Sequence, residues 1–262
     1  MNALTINLVQ FDIVWHDIGA NHLKIQKLCE DMPPCQLLVL PEMFNTGFTM
    51  EPDVFGNSAS QSGKELMYAL ADRYRTAVCG SIIEKDDNRY FNRLYFITSD
   101  GEEHWYDKKH LFKYAGEDQY YSPGSERLMI EYNGWRIVPM ICYDLRFPVW
   151  SRQMRGQEYD LLIYVANWPQ RRSHAWRTLL PARAIENMCY VAGVNRIGYD
   201  PKGIYYSGDS AVYDVLGQAV ATAPAGKEGV VSSVVLLSEL IDLRASLGFL
   251  HDADDFQLVN TG

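Results

Sequence analysis

The sequence predicts an α/β protein in which two mixed β-sheets pack together and are covered by helices. Three observations carry that reading. Short apolar segments alternate with helix-period segments in both halves of the chain, antiparallel hairpin signals are interleaved with them, and no repeat or flexible linker interrupts the 262 residues. Residues 1–262 are therefore read as a single domain, which this length allows.

The elements follow in order. Leu4 to Val9 alternates with period two before turning wholly apolar, a helix-period stretch runs from about Ala20 to Asp31, and Leu37 to Leu40 is a short buried strand stopped by Pro41. This β-α-β opening implies a crossover connection. Ser62 to Glu65 has the spacing of a capping box, with Leu66, Met67, Leu70 and Tyr74 on one helix face after it. Strands are expected at Ala77 to Glu84, Phe91 to Thr98 and Glu103 to Lys108, the last two joined by a turn at Ser99-Asp100-Gly101. Asn133-Gly134, the strongest short-range hairpin signal, lies between Leu128–Tyr132 and Trp135–Cys142. A helix near 149–157, a strand at Leu161 to Ala166, a helix near 173–188 and a strand at Tyr190 to Val194 form a second α/β half. Strands near 210–214, 219–222 and 230–236 and a short C-terminal helix complete the chain.

Composition removes several function classes. With 24 basic against 33 acidic residues the net charge is −9, which disfavours a nucleic-acid or acidic-membrane partner held by a general electrostatic footprint. No stretch approaches the ~18 consecutive apolar residues of a membrane span. The start, MNALTINLVQF, has neither a basic n-region nor a small-residue cleavage site, so a cytoplasmic protein is expected. The cysteines Cys29, Cys35, Cys79, Cys142 and Cys189 are odd in number and form no CxxC pair, which argues against a disulfide framework and against zinc. Signatures of dinucleotide, P-loop, serine-hydrolase and zinc-protease chemistry are absent. The six histidines lack ligand spacing, and the acidic tail Asp252, Asp254, Asp255 has no EF-hand pattern, so no metal is expected.

Cys142 stands apart by position. The apolar strand Ile137 to Ile141 ends at it, and Tyr143-Asp144-Leu145-Arg146-Phe147-Pro148 follows. Such a turn exposes the side chain while the backbone N–H groups beyond it can hold an oxyanion. A thiol with a reference pKa near ~8.5 needs a base or a nearby cation to react at neutral pH. No histidine is close in sequence. The available groups are Glu42, also just past a strand end, and Lys109, in YDKKHLF.

PEMF with Glu42, YDKKHLF with Lys109 and VPMICYDLRFP with Cys142 closely resemble, in order and spacing, the three signature segments of the nitrilase (carbon–nitrogen hydrolase) superfamily. ANWP at 166–169 and ARAIEN at 182–187 extend the resemblance over nearly the whole chain. It implies a four-layer αββα sandwich, pairing into homodimers or higher oligomers, and a Glu-Lys-Cys set that works without metal or organic cofactor. Cys142 would be the nucleophile, Glu42 the general base, Lys109 the cation facing the oxyanion, the backbone N–H of Tyr143 a second oxyanion donor, and Glu117 a second glutamate beside the nucleophile. The chemistry is coherent: thiol attack on an amide needs a proton taken from sulfur, a negative oxygen held, and a proton given to the departing nitrogen.

Within the superfamily, PEMFNTGF, CYDLRFP and YVANWP look most like the omega-amidase branch. Its members hydrolyse the terminal amide of short dicarboxylic monoamides, 2-oxoglutaramate and 2-oxosuccinamate, through a thioester. An anionic substrate of that size needs a cationic anchor in a small pocket. Arg171 and Arg172 are the sequence-local candidates, with Arg172 preferred, whereas the resemblance makes Arg146 a structural ion-pair partner. Phe44, Phe48 and Trp168 are candidate pocket walls. The rival readings are a nitrilase or N-carbamoyl amino acid amidohydrolase using the same set, a non-catalytic binding module, and a metal-dependent phosphoesterase of similar layering.

Overall fold

The computed structural model describes residues 2–258. In its first half β1 (Ala3–Gln10), α1 (Ile18–Glu30), β2 (Leu37–Val39), α2 (Ser58–Tyr74), β3 (Ala77–Asp86), β4 (Arg89–Ile97) and β5 (Glu103–Asp107) succeed one another. Then come β6 (Ile130–Tyr132), β7 (Trp135–Ile141), α3 (Pro148–Ser151), β8 (Leu161–Ala166), α4 (Ser173–Asn187) and β9 (Tyr190–Asn195). The hairpin β10 (Ile197–Tyr199) and β11 (Tyr205–Ser207), then β12 (Ala211–Tyr213), β13 (Ala219–Thr222), β14 (Gly229–Leu236) and α5 (Leu237–Leu247) close the chain.

One six-stranded sheet has the order β14-β1-β2-β3-β4-β5 and the other β13-β12-β9-β8-β7-β6. Both have a parallel centre, β1-β2-β3 and β7-β8-β9, flanked by antiparallel strands. Parallel neighbours need crossovers, which α1, α2 and α4 supply. Period-two alternation then sorts β1 between two faces. Leu4, Ile6 and Leu8 pack inward with Leu37, Val39, Ile137 and Ile163 between the sheets, while Val9 turns outward onto Ile25, Cys29 and Met67 of α1 and α2. On the opposite side α4 sets Trp176, Leu180 and Ala184 against the second sheet. The result is the four-layer αββα sandwich.

Several local expectations shift. Asn133 and Gly134 adopt φ of 50° and 76°, the left-handed pair a two-residue hairpin requires. The capping-box residues do not start α2, which begins at Ser58; the Ser62 hydroxyl instead donates back to the Ser58 carbonyl at 2.8 Å inside the helix. The helix expected near 149–157 stops at Ser151. Arg152 is extended, and the Asn187 side chain accepts a hydrogen bond from Gln153 N at 2.9 Å, so the segment runs on as a tethered loop. The β10–β11 hairpin has no counterpart among the expected elements.

At Gly193 of β9 a Cβ would lie 2.6 Å from Leu180 Cδ1 and 2.9 Å from Trp176 Cζ2, so the missing side chain is what lets α4 approach the sheet. Gly193→Ala is expected to cost about 1–3 kcal/mol by overpacking and Leu180→Ala about 2–5 kcal/mol by leaving a cavity. Because the two defects compensate, denaturant melts of the double variant should show a loss smaller than the sum. Strict additivity would remove this account of the helix contact.

Candidate active site

Three chain segments deliver charged side chains to one buried point. After β2 the backbone turns at Met43, whose φ of 45° is left-handed and whose N–H donates to Ser81 Oγ at 3.0 Å. The turn points Glu42 inward, where it is wholly buried. Its Oε1 accepts from Lys108 Nζ and from Asn92 Nδ2, both at 2.8 Å, and its Oε2 accepts from Asn167 N at 2.8 Å. The Asn167 side chain also donates to the Glu42 carbonyl at 2.5 Å.

Lys108, and not Lys109, meets Glu42. The reason is strand parity. Lys108 N donates to Asn92 O at 3.0 Å, which carries the β5 ladder one residue past Asp107. Tyr106 and Lys108 therefore face the interior, whereas Trp105 is 54% exposed and Asp107 pairs with Arg93 at 2.7 Å. Lys109 falls on the other side, its Nζ 5.4 Å from the centre of the Trp150 ring. The cation expected at Lys109 is thus supplied by its neighbour.

Glu117 joins the cluster through Lys108. Gly116, at φ 78°, turns the chain into a short 3-10 segment, and both Glu117 oxygens accept from Lys108 Nζ at 3.0 Å. Phe112 N donates to Oε2 at 2.5 Å and Asn92 Nδ2 to Oε1 at 3.3 Å. Burial opposes the charge on Lys108, but Glu117 and Glu42 more than offset it and raise its pKa, so it stays an ammonium. Burial also pushes the Glu117 carboxyl up; Lys108 pulls it back and Glu42 adds to the rise.

Cys142 directly follows the C-terminal end of β7 with φ of 42°, a strained left-handed conformation for a side-chain-bearing residue, and opens a 3-10 turn over 142–146. Its neighbours lead its thiol in two directions. Burial and the Glu42 charge raise the thiol pKa well above its ordinary value, while Lys108 and the Asn167 N–H lower it. The other four cysteines are buried in the core.

Cys142 and Lys108 line a cavity of about 420 Å³, together with Tyr143, Asn167, Phe48 and Trp168. Phe48 lies 5.0 Å from Lys108 Nζ, and Trp168 is fixed by Nε1 donating to Arg172 O at 2.8 Å. Phe44 does not reach the cavity. It is fully buried against Leu40 and α2, and Gly80 leaves room for its ring. Arg171 and Arg172 both line the cavity, Arg172 half-buried with its guanidinium 5.0 Å from the Phe112 ring. Arg146 departs from its expected structural role. It too lines the cavity, 4.9 Å from the Trp168 ring, and among the described residues it forms no ion pair. Asn92 and Asn167 were not singled out in the sequence; the inward parity of Asn92 on β4, among apolar residues, is the signal that marks it.

Comparisons with known proteins identify the family. The family described as carbon-nitrogen hydrolase matches residues 5–245. The chain belongs to the carbon–nitrogen hydrolase family. The omega-amidase YafV of Escherichia coli K12 is 41% identical over 98% of this chain and 100% of its own length. A 2-oxoglutaramate amidase of Bacillus subtilis is 32% identical over 95% of this chain and 96% of its own. The crystal structure of XC1258 from Xanthomonas campestris, a CN-hydrolase superfamily protein carrying an arsenic adduct in its active site, superposes with a TM-score of 0.91. It is 39% identical and covers 99% of this chain and 100% of that one. This carbon–nitrogen hydrolase is an amide-hydrolysing enzyme. Among the described residues, no helix is long and apolar enough to cross a membrane, and no group of three or more His, Cys, Asp or Glu side chains is placed to hold a metal ion.

Because the Cys142 thiol titrates above its ordinary range, its alkylation by iodoacetamide should keep rising as pH is raised through the alkaline range, with the other four cysteines unlabelled in the native protein. Glu42→Gln removes a negative charge from beside the sulfur and should move that rise to lower pH, read by peptide mass spectrometry. An unchanged profile would mean that Glu42 does not act electrostatically on the thiol.

Proposed function

We propose that this hydrolase cleaves the terminal amide of short dicarboxylic monoamides, 2-oxoglutaramate and 2-oxosuccinamate among them, through a thioester on Cys142. The observation that supports it most is the convergence of Glu42, Lys108 and Cys142 beside a cavity ringed by arginines. Glu42 takes the thiol proton as sulfur attacks the amide carbon. The oxyanion forms between Lys108 Nζ and the backbone N–H of Tyr143, donors already in place before charge develops. Glu42 returns the proton to nitrogen, ammonia leaves, and the acyl group stays on sulfur as a thioester. A water then loses its proton to Glu42 and attacks the thioester carbon, releasing the acid and regenerating the thiol. Glu117 holds the ammonium in register and acts through it. The substrate carboxylate meets Arg172, with Trp168 and Phe48 as walls. The amidase activity in the name of the E. coli relative and the 2-oxoglutaramate in that of the B. subtilis relative favour this amide class over nitriles and carbamoyl amino acids.

Ammonia release should be strong with 2-oxoglutaramate and succinamate and weak with simple nitriles and N-carbamoyl amino acids; the reverse ranking would overturn the substrate assignment. Cys142→Ala should abolish turnover and the acyl-enzyme mass. Lys108→Ala should lower kcat/KM by at least about 10²–10³, the worth of one oxyanion donor, whereas Lys109→Ala should leave it near that of the unaltered enzyme. Arg172→Ala should raise KM for anionic amides more than for neutral ones.

A cytoplasmic homodimer belongs to the same proposal. Five free cysteines suit a reducing compartment. Val149 and Phe249, each 58% exposed, border one groove beside α3 and support self-association there. Sedimentation velocity should give a dimer that Val149→Glu disrupts, and a monomeric native enzyme would refute the pairing.

A further inference from the structure

Asn167 directly follows β8 and is only 5% exposed, yet it lines the cavity with Cys142. Its donors are committed. The backbone N–H donates to Glu42 Oε2 at 2.8 Å, and Nδ2 donates to the Glu42 carbonyl at 2.5 Å and to Oε2 at 3.4 Å. Both partners of Nδ2 are acceptors, which fixes which end of the carboxamide carries oxygen. The next residue is clamped in turn: buried Asn195 accepts from Trp168 N at 2.7 Å and donates to Trp168 O at 3.0 Å and Gly208 O at 2.7 Å. The carboxamide is therefore oriented before a substrate enters.

Its Oδ1 is the exception. This atom is buried, and among the described residues nothing donates to it. Asn92 Oδ1 and Tyr164 Oη share that condition elsewhere, but of the described residues lining this cavity only Asn167 has such an atom. A buried acceptor without a donor is costly, and beside a reacting centre the missing donor is one that a substrate can bring. The two Glu42 oxygens indicate where that donor sits. Oε1 accepts from Lys108 and Asn92, both at 2.8 Å, one of them a cation, and is the poorer base. Oε2, flanked by Asn167, is the oxygen better placed to trade a proton with the scissile nitrogen.

We infer that Asn167 is a specificity-determining residue whose Oδ1 accepts an N–H of the scissile primary amide, holds that nitrogen beside Glu42 Oε2, and disfavours the corresponding ester. A primary amide nitrogen has two hydrogens, one for Oε2 and one for Oδ1. The contact strengthens as the reaction proceeds: the proton that Glu42 took from sulfur passes to nitrogen, which gains positive charge and becomes a better donor. The C–N bond then breaks with its electron pair on nitrogen, and ammonia leaves; Oδ1 itself exchanges no proton. An ester oxygen in the same place has no hydrogen to give and sets acceptor against acceptor, a penalty independent of the ester's own reactivity.

This inference rests on the proposed amidase reading, and its test separates the two. kcat/KM, which reports acylation, is measured for succinamate and monomethyl succinate, the amide and the ester of one acid, with the wild-type enzyme and Asn167→Ala. Loss of Nδ2 loosens Glu42 and should slow both substrates, whereas loss of Oδ1 falls on the amide alone. The amide-to-ester ratio should therefore drop about 10- to 100-fold, the worth of one buried acceptor and its donor. A ratio unchanged by Asn167→Ala, with both values lowered alike, would mean that Asn167 only supports Glu42 and would overturn the role while leaving the amidase reading intact. Calorimetry on Cys142→Ala gives a readout that needs neither turnover nor a change at Asn167. Succinamate should bind more tightly than monomethyl succinate, and N-methylsuccinamate, which matches the ester in size but keeps an N–H, should fall between them. Equal affinities of N-methylsuccinamate and the ester would also overturn the role. A wild-type enzyme that releases ammonia from neither succinamate nor 2-oxoglutaramate overturns both.

Discussion

A single ammonium enclosed by two carboxylates fixes this structure. Lys108, Glu42 and Glu117 have no side-chain exposure, and Lys108 Nζ touches both acids within 3.0 Å. Charges withdrawn from water in this way are costly unless every remaining lone pair and proton is matched, and removing one partner of such a set costs about 3–5 kcal/mol. Here the matching is done by Asn92, which reaches both carboxylates, and by the backbone of Asn167 and Phe112. The end of β2, the end of β5, the 113–121 loop and the end of β8 must therefore meet at one place. The two sheets are registered against each other by charge satisfaction as well as by apolar packing.

Cys142, the proposed nucleophile, is tied to that cluster by a third buried carboxylate. Asp144 accepts from Ile141 N at 3.1 Å, just before Cys142, and from His110 N at 2.9 Å, two residues after Lys108. Tyr106 OH donates to it as well at 2.7 Å. One side chain thus clamps the strand that carries the sulfur to the strand that carries the ammonium. The left-handed backbone of Cys142 is a conformation that a free peptide would relax, and the clamp beside it holds the turn.

Much of this was legible in the sequence because the elements obey local rules. The opening β-α-β, the Asn133-Gly134 turn and the run Leu161–Ala166 are set by periodicity and turn chemistry, and they recur in place. The 3-10 turn after Cys142 and the tethered loop after Ser151 were less legible, since long-range contacts such as Asn187 to Gln153 override helix propensity there. Choosing between Lys108 and Lys109 required knowing that the β5 ladder continues past Asp107, a fact about pairing with Asn92 that adjacent identical residues conceal. Phe44 and Phe48 pose the same problem: four residues apart in one loop, they part between core and cavity because Gly80 opens a slot for the first. That Arg146 lines the cavity became visible only with its tertiary surroundings in place.

The β10–β11 hairpin contributes Asp200, Lys202, Ile204 and Tyr206 to the cavity and none of the donors to Glu42 or Glu117. Its tip is braced internally by Asp200, so its shape is set by its own short sequence. Part of the cavity wall is consequently carried on a piece of chain separate from the buried charge cluster. Exchange or lengthening of that ribbon is a route by which the scaffold can acquire new amide preferences while its reactive centre is inherited unaltered.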